Sequence, residues 1–157
     1  MKKAVLSVVF AATALFGFSQ KMSYRVGLVT AIPADMDNAK QSISLGSSMF
    51  EASKTISKKV VAVANIGYIK FKTDVNTTFA IVPITIGAKY PITESVNFGV
   101  AGGLGIYNKK SAGSTDFMFS PFVGVVVNKI SVDVRYVNVV TKNNPIKTLA
   151  LVFSYTL

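Results

Sequence analysis

The chain has 157 residues, which is room for one domain and a leader, and it is 50% hydrophobic with only 15% charged residues, too apolar for a disordered polypeptide. It contains no Cys, no His and no Trp, which excludes disulfide scaffolds, thiolate or imidazole metal sites and His-based triads, and with them most enzyme mechanisms. Lys and Arg number 17 against 7 Asp and Glu, a formal charge of +10 that suits an anionic partner.

Met1, Lys2 and Lys3 followed by the apolar run Ala4 to Phe18 have the charged start and short hydrophobic stretch of a secretory signal peptide. That run falls short of the roughly 20 residues a spanning helix needs. Gly17 and Ser19 place small residues three and one before a cut between Ser19 and Gln20. Residues 1–19 are therefore expected to be a cleaved leader and 20–157 the mature domain. No Cys follows the apolar run, so a lipid-anchored form is excluded, and losing Lys2 and Lys3 lowers the formal charge to +8.

Beyond the leader apolar residues recur with period two, the mark of strands with two unlike faces. The first segment, 22–32, sets Tyr24, Val26, Leu28, Thr30 and Ile32 against Arg25, Gly27, Val29 and Ala31. Pro33 to Lys40 reads as a polar loop, whose Asp35, Asp37 and Asn38 offer too few oxygens for a Ca²⁺ site. A second strand is expected over 41–52, with broken alternation from Gly46 to Ala52 that points to a bulge, then a connection from Ser53 to Lys59. A strand over 60–72 breaks its alternation again between Asn65 and Lys70. Thr73 to Thr77 joins it to a strand over 78–90, and a turn at Pro91 to Glu94 leads to one over 95–107. There Gly99, Gly102, Gly103 and Gly105 lack the Gly-Lys-Ser/Thr of a phosphate loop; with Gly99, Ala101, Gly103 and Gly105 turned inward they would make room for larger side chains across a lumen.

Asn108 to Thr115 connects to a strand over 116–127, and Asn128 and Lys129 form the turn to a strand over 130–140. In the latter, Ile130, Val132, Val134 and Tyr136 interleave with Ser131, Asp133 and Arg135. Thr141 to Ile146 leads to the last strand, 147–157, where Leu149, Leu151, Phe153, Tyr155 and Leu157 alternate with Thr148, Ala150, Val152, Ser154 and Thr156.

These eight segments of 11 to 13 residues cover 96 of the 138 mature positions, far above the strand content of an ordinary globular domain, and each matches the roughly nine to eleven residues of a tilted membrane strand. In lipid every backbone N–H and C=O must be paired, so a closed ring is required. The expected fold is all-β: an eight-stranded antiparallel up-and-down transmembrane β-barrel, oily side chains outward and small or polar ones inward. The connections at 33–40, 73–77, 108–115 and 141–146 would face outward and the other three would be periplasmic turns. Aromatics gather near both ends, Tyr24, Tyr90, Phe98 and Tyr155 at one rim and Phe71, Phe79, Tyr107 and Phe117 at the other, as two membrane interfaces select.

The leader, the segment Ile81 to Tyr90, the Gly-rich strand Phe98 to Tyr107, the stretch Ser120 to Gly124 and the closing strand to Leu157 together resemble the small eight-stranded bacterial outer-membrane β-barrel family, the OmpX-like and OmpA-transmembrane-like proteins. The resemblance spans nearly the whole mature chain. It implies an outer-membrane location, outer-membrane lipids and lipopolysaccharide as surroundings, and an assembly machinery that reads a terminal aromatic with the alternating residues before it. This chain ends in Leu157, with Phe153 and Tyr155 close behind. No catalytic residue transfers, because such a family shares a shape rather than a chemistry.

Arg25, Lys89, Asp133 and Arg135 stand on the polar faces of their strands at similar depth and are expected to meet in the lumen. They would form a plug of paired charges with Glu51 assisting, since one Asp cannot neutralise three cations. Lys40, Lys109, Lys110 and Lys142 would face lipopolysaccharide from the outer loops, and Lys54, Lys58, Lys59 and Lys129 the periplasm. The residues lead to a structural or surface-interaction role for a side-chain-filled barrel that is no enzyme and binds no cofactor and no nucleic acid. The competing readings are a narrow solute channel and a soluble lipocalin-like barrel around an apolar ligand, the latter with its large residues pointing inward.

Overall fold

The computed structural model describes residues 22–33, 41–42, 44–73, 78–109, 112–140 and 146–157, with side-chain environments for 22–32, 46–70, 80–106, 115–140 and 146–157. Its strands are β1 (Met22–Pro33), β2 (Gln41–Ser42), β3 (Ser44–Ser57), β4 (Val60–Thr73), β5 (Thr78–Pro91), β6 (Val96–Lys109), β7 (Ala112–Val127), β8 (Ile130–Val140) and β9 (Ile146–Thr156). The short β2 and the long β3 both pair with β4 and share one wall position, so the barrel has eight. All paired strands run antiparallel, and β1 pairs with β9 from Arg25↔Thr156 to Pro33↔Thr148. That ladder closes the sheet on itself and removes the open edge.

Because successive side chains on a strand point to opposite faces, the period-two pattern becomes an outside and an inside. Val26, Leu28, Phe119, Val123, Val134, Leu149 and Phe153 are exposed on the outer surface. Their neighbours Val29, Ala31, Ser120, Phe122, Asp133, Ala150 and Val152 are buried in the interior. Tyr24, Phe50, Tyr90, Phe98 and Tyr155 are exposed toward the end that carries the tight turns, and Tyr24 stacks on Phe50 with ring centroids 6.0 Å apart.

The interior is less polar than the alternation predicts. Toward the loop end it is an apolar cluster of Val29, Ala31, Ile69, Ile81, Met118, Val137, Val139, Ala150 and Val152; toward the turn end it is charged. Eight strands enclose only enough space for side chains, and close packing favours apolar ones wherever no partner for a polar group is at hand.

Several boundaries move from their expected places. β3 runs on to Ser57, so the connection expected over 53–59 contracts to Lys58 and Lys59. Lys54 is accordingly buried within β3, not displayed in a turn. The connection expected over 108–115 contracts likewise, since β6 reaches Lys109 and β7 starts at Ala112. Polar composition made these stretches read as loops, yet a strand keeps its ladder as long as its neighbour offers partners, even past the apolar belt. The turn expected at 91–94 lies one residue on, at Ile92–Ser95, where Thr93 Oγ1 accepts from the Ser95 and Val96 amides at 3.2 and 2.9 Å.

The two stretches of broken alternation have different outcomes. The β1–β3 register slips between Val29 and Ala31, and Gly46, at φ +83°, takes up the extra residue on β3 in a conformation that favours glycine. Across Asn65 to Lys70 the register continues unbroken, Ile66↔Ile84 and Ile69↔Ile81 keeping step. Alternation looked broken there because apolar Ile69 belongs to the interior while charged Lys70 is exposed on the outer face.

The β7–β8 hairpin turns on Asn128 and Lys129, with Asn128 at φ +56°. Asn tolerates this left-handed conformation better than other residues with a Cβ. Asn128→Gly is expected to leave stability unchanged or slightly raised, and Asn128→Val to lower it by about 1–2 kcal/mol, read from urea-unfolding midpoints in micelles.

Candidate functional site

The charged half of the interior is built from inward positions of four strands. Arg25 on β1 lies opposite Glu51 on β3, Lys89 on β5 faces Gly99 on β6, and Asp133 and Arg135 on β8 face Gly124 and Phe122 on β7. Closure of the barrel brings these walls together. Glu51 is the hub: Lys89 Nζ donates to its Oε1 at 2.5 Å, Arg135 Nη2 to its Oε2 at 3.1 Å, and Arg25 Nε lies 3.6 Å from Oε1. Arg135 Nη2 also donates to Asp133 Oδ2 at 3.0 Å. All four residues predicted from sequence thus belong to one network, with Glu51 at its centre.

Burial gives this network its weight. Glu51 and Asp133 are each 1% exposed, and Lys89 and Arg135 are nearly as deep. Attraction between such groups is strong, but so is the cost of removing them from water, so the pairing offsets that cost more than it adds stability. Arg25, the most accessible of the five, is further held by donation from Nη1 to Ser131 Oγ at 3.0 Å, and Ser131 shares a 2.6 Å hydrogen bond with Ser154.

Phe122 is the functional neighbour that the sequence reading missed. It is buried in the interior, with the Arg135 guanidinium 4.3 Å and Lys89 Nζ 5.6 Å from its ring centroid, where the negative ring face favours cations. Its signal lay in the parity of β7, on which Met118, Ser120, Phe122 and Gly124 occupy the inward positions. The glycines make the space: a Cβ on Gly99 would strike the Phe122 ring, and one on Gly124 would strike Asp133 Oδ1.

Chemically, the arrangement is a set of paired charges bridging the lumen from β3 to β5 and β8. Among the described residues no group of three or more Asp, Glu, His or Cys could hold a metal ion. Residues 1–19, Asp35, Asp37, Asn38, Lys40, Lys110 and Lys142 lie outside the described residues, as do the side chains of Phe71, Phe79, Tyr107 and Lys109. At the turn end Lys58, Lys59 and Lys129 are exposed, and Lys129 Nζ sits 5.6 Å from the Tyr155 ring centroid.

No family model matches the chain, and no curated protein matches it in sequence. Solved structures do match in fold. The outer-membrane protein Ail of Yersinia pestis, in a phospholipid bilayer nanodisc, superposes with a TM-score of 0.63 at 12% identity, over 87% of this chain and 100% of that one. Neisserial surface protein A gives 0.57 at 16% identity, over 87% and 94%. The N-terminal β-barrel domain of OprF from Pseudomonas aeruginosa gives 0.53 at 10%, over 86% and 97%. The fold is thus that of a small eight-stranded outer-membrane barrel.

Proposed function

We propose, from this shared fold, that the chain is an exported integral outer-membrane β-barrel with a structural or surface-interaction role and a lumen filled by side chains. Residues 1–19 are the leader that directs export and 20–157 the barrel domain. One observation carries the reading: bulky apolar side chains cover the outer wall, while a charged network and a compact apolar cluster fill the inside. In water such a belt would be an apolar surface far larger than soluble monomers carry. An 11-residue strand such as β8, at about 3.3 Å per residue and a tilt of about 45°, rises roughly 25 Å, the height of the apolar band of an outer-membrane barrel.

The same orientation disfavours the lipocalin-like alternative, which needs the large residues inside; Ala150 is buried and Leu151 faces out. The ion pairs across the lumen disfavour the channel. A surface role draws support from the description of one fold relative as a surface protein. Lys40, Lys109, Lys110 and Lys142 are the groups available to lipopolysaccharide, and the closing strand with Phe153, Tyr155 and Leu157 is what the assembly machinery would read.

Membrane fractionation tests this directly. The protein is expected to resist carbonate extraction and to migrate differently on gels before and after heating; a polypeptide that washes off overturns the reading. Leu28, 69% exposed on the outer wall, provides a point test. Leu28→Arg is expected to cost about 2–4 kcal/mol of folding into bilayers if that position lies near the midplane, and a neutral outcome would count against lipid there. Planar-bilayer recording should give no steady current.

A further inference from the structure

The charged network does not balance. Arg25, Lys89 and Arg135 carry three positive charges against the two of Glu51 and Asp133, an excess of +1 among these five described residues, and buried charge without a counter-charge is costly. Beside it, where the charged half meets the apolar half, lies a cavity of about 30 Å³ whose lining includes Asn65, Thr85, Ser120 and Arg135, with Val152 and Met118 among its apolar walls. Neither carboxylate lines it. Three buried polar atoms of that lining have no hydrogen-bond partner: Arg135 Nε, Ser120 Oγ and Asn65 Oδ1. Such atoms are costly when left unpaired, and more so when charged.

Two of the three groups are available as donors, since Arg135 Nε–H can only donate and the Ser120 hydroxyl is free to. The third can become one. Asn65 Nδ2 donates to Thr85 Oγ1 at 3.3 Å, but a hydroxyl both donates and accepts, so the reversed amide keeps that bond with Thr85 as donor and turns its N–H toward the cavity. Three donors, one of them cationic, then belong to the lining of a space the size of one or two waters, with no acceptor carboxylate among its walls and one positive charge to neutralise.

We infer that this cavity is a site for a monovalent, halide-sized anion, with chloride its natural occupant. A volume of about 30 Å³ matches a single halide ion. The apolar walls strip the ion of water, as weakly hydrated halides tolerate best, and the bound anion cancels the network's excess charge. A neutral water would satisfy the same three atoms but leave the charge standing.

The test uses the full-length protein, folded and purified in detergent. Crystals grown in sodium bromide, with data collected at the bromine absorption edge, should show an anomalous peak within hydrogen-bond distance of Arg135 Nε and Ser120 Oγ. In solution the unfolding temperature should rise saturably when bromide replaces gluconate at constant ionic strength. Ser120→Ala, which removes one donor and no bulk, should weaken the apparent bromide affinity by at least about tenfold while preserving heat-modifiable migration. Density for a neutral water without an anomalous peak overturns the assignment, as does bromide confined to surface lysines. An unchanged affinity in Ser120→Ala would remove the cavity as the binding place.

Discussion

Glu51→Ala is expected to destabilise the barrel by about 3–5 kcal/mol, the range found when one partner of a buried ion pair is removed. The carboxylate is the shared acceptor of Lys89 and Arg135 and lies 3.6 Å from Arg25 Nε. Its loss leaves three cations around a lumen whose one other carboxylate in the network, Asp133, reaches only Arg135. Urea unfolding in detergent micelles, followed by gel mobility without heating, would read the loss. Asp133→Ala should lower the unfolding temperature by less, because it removes a single ion pair. Pairing Glu51→Ala with Lys89→Met should recover part of the loss, since the second change removes the cation held closest to the missing carboxylate. A Glu51→Ala protein as stable as the parent would mean that water reaches the network, and the plugged lumen would have to be abandoned.

Gly103→Ala carries the second large expected effect, and its neighbour supplies the control. A Cβ on Gly103 would collide with the Ile84 carbonyl oxygen and the Thr85 Cα, both backbone atoms of β5. Neither can yield without opening the β5–β6 ladder, in which Thr85 and Gly103 are direct partners. The expected cost is about 1–3 kcal/mol, as for overpacking of a tight interior. Gly102 points the other way, and the nearest atom to its Cβ would be Phe117 Cζ at 3.6 Å, an ordinary contact. Gly102→Ala should therefore be neutral or stabilising by up to about 1 kcal/mol, through reduced freedom of the unfolded chain. Equal unfolding midpoints for the two variants would show that β5 and β6 do not approach as closely as described.

The Gly99-to-Gly105 stretch shows how far composition can be read. Its lack of a phosphate-loop signature and its inward small residues were legible from sequence, because parity along a strand is set by the local pleat. Which partner each glycine accommodates was not. Gly99 faces the ring of Phe122, Gly124 the Asp133 carboxylate, and Gly103 bare backbone, three different neighbours for one residue type.

The same division runs through the charged network. That Arg25, Lys89, Asp133 and Arg135 share the inner face follows from alternation alone, and so does the polarity of the closing strand. Sequence by itself determined which side of the wall each side chain takes, since period two is a property of the extended backbone and needs no knowledge of the neighbours. Only the tertiary structure decided that Glu51 is the common acceptor, that Phe122 lies beneath the cations, that the loop-end half of the lumen is apolar, and that three unpaired donors and acceptors share one cavity. Those relations depend on the register of each ladder and on the closure of β1 against β9, which bring together residues 106 positions apart, as in Arg25 and Ser131, and no local pattern encodes a distance across a ring.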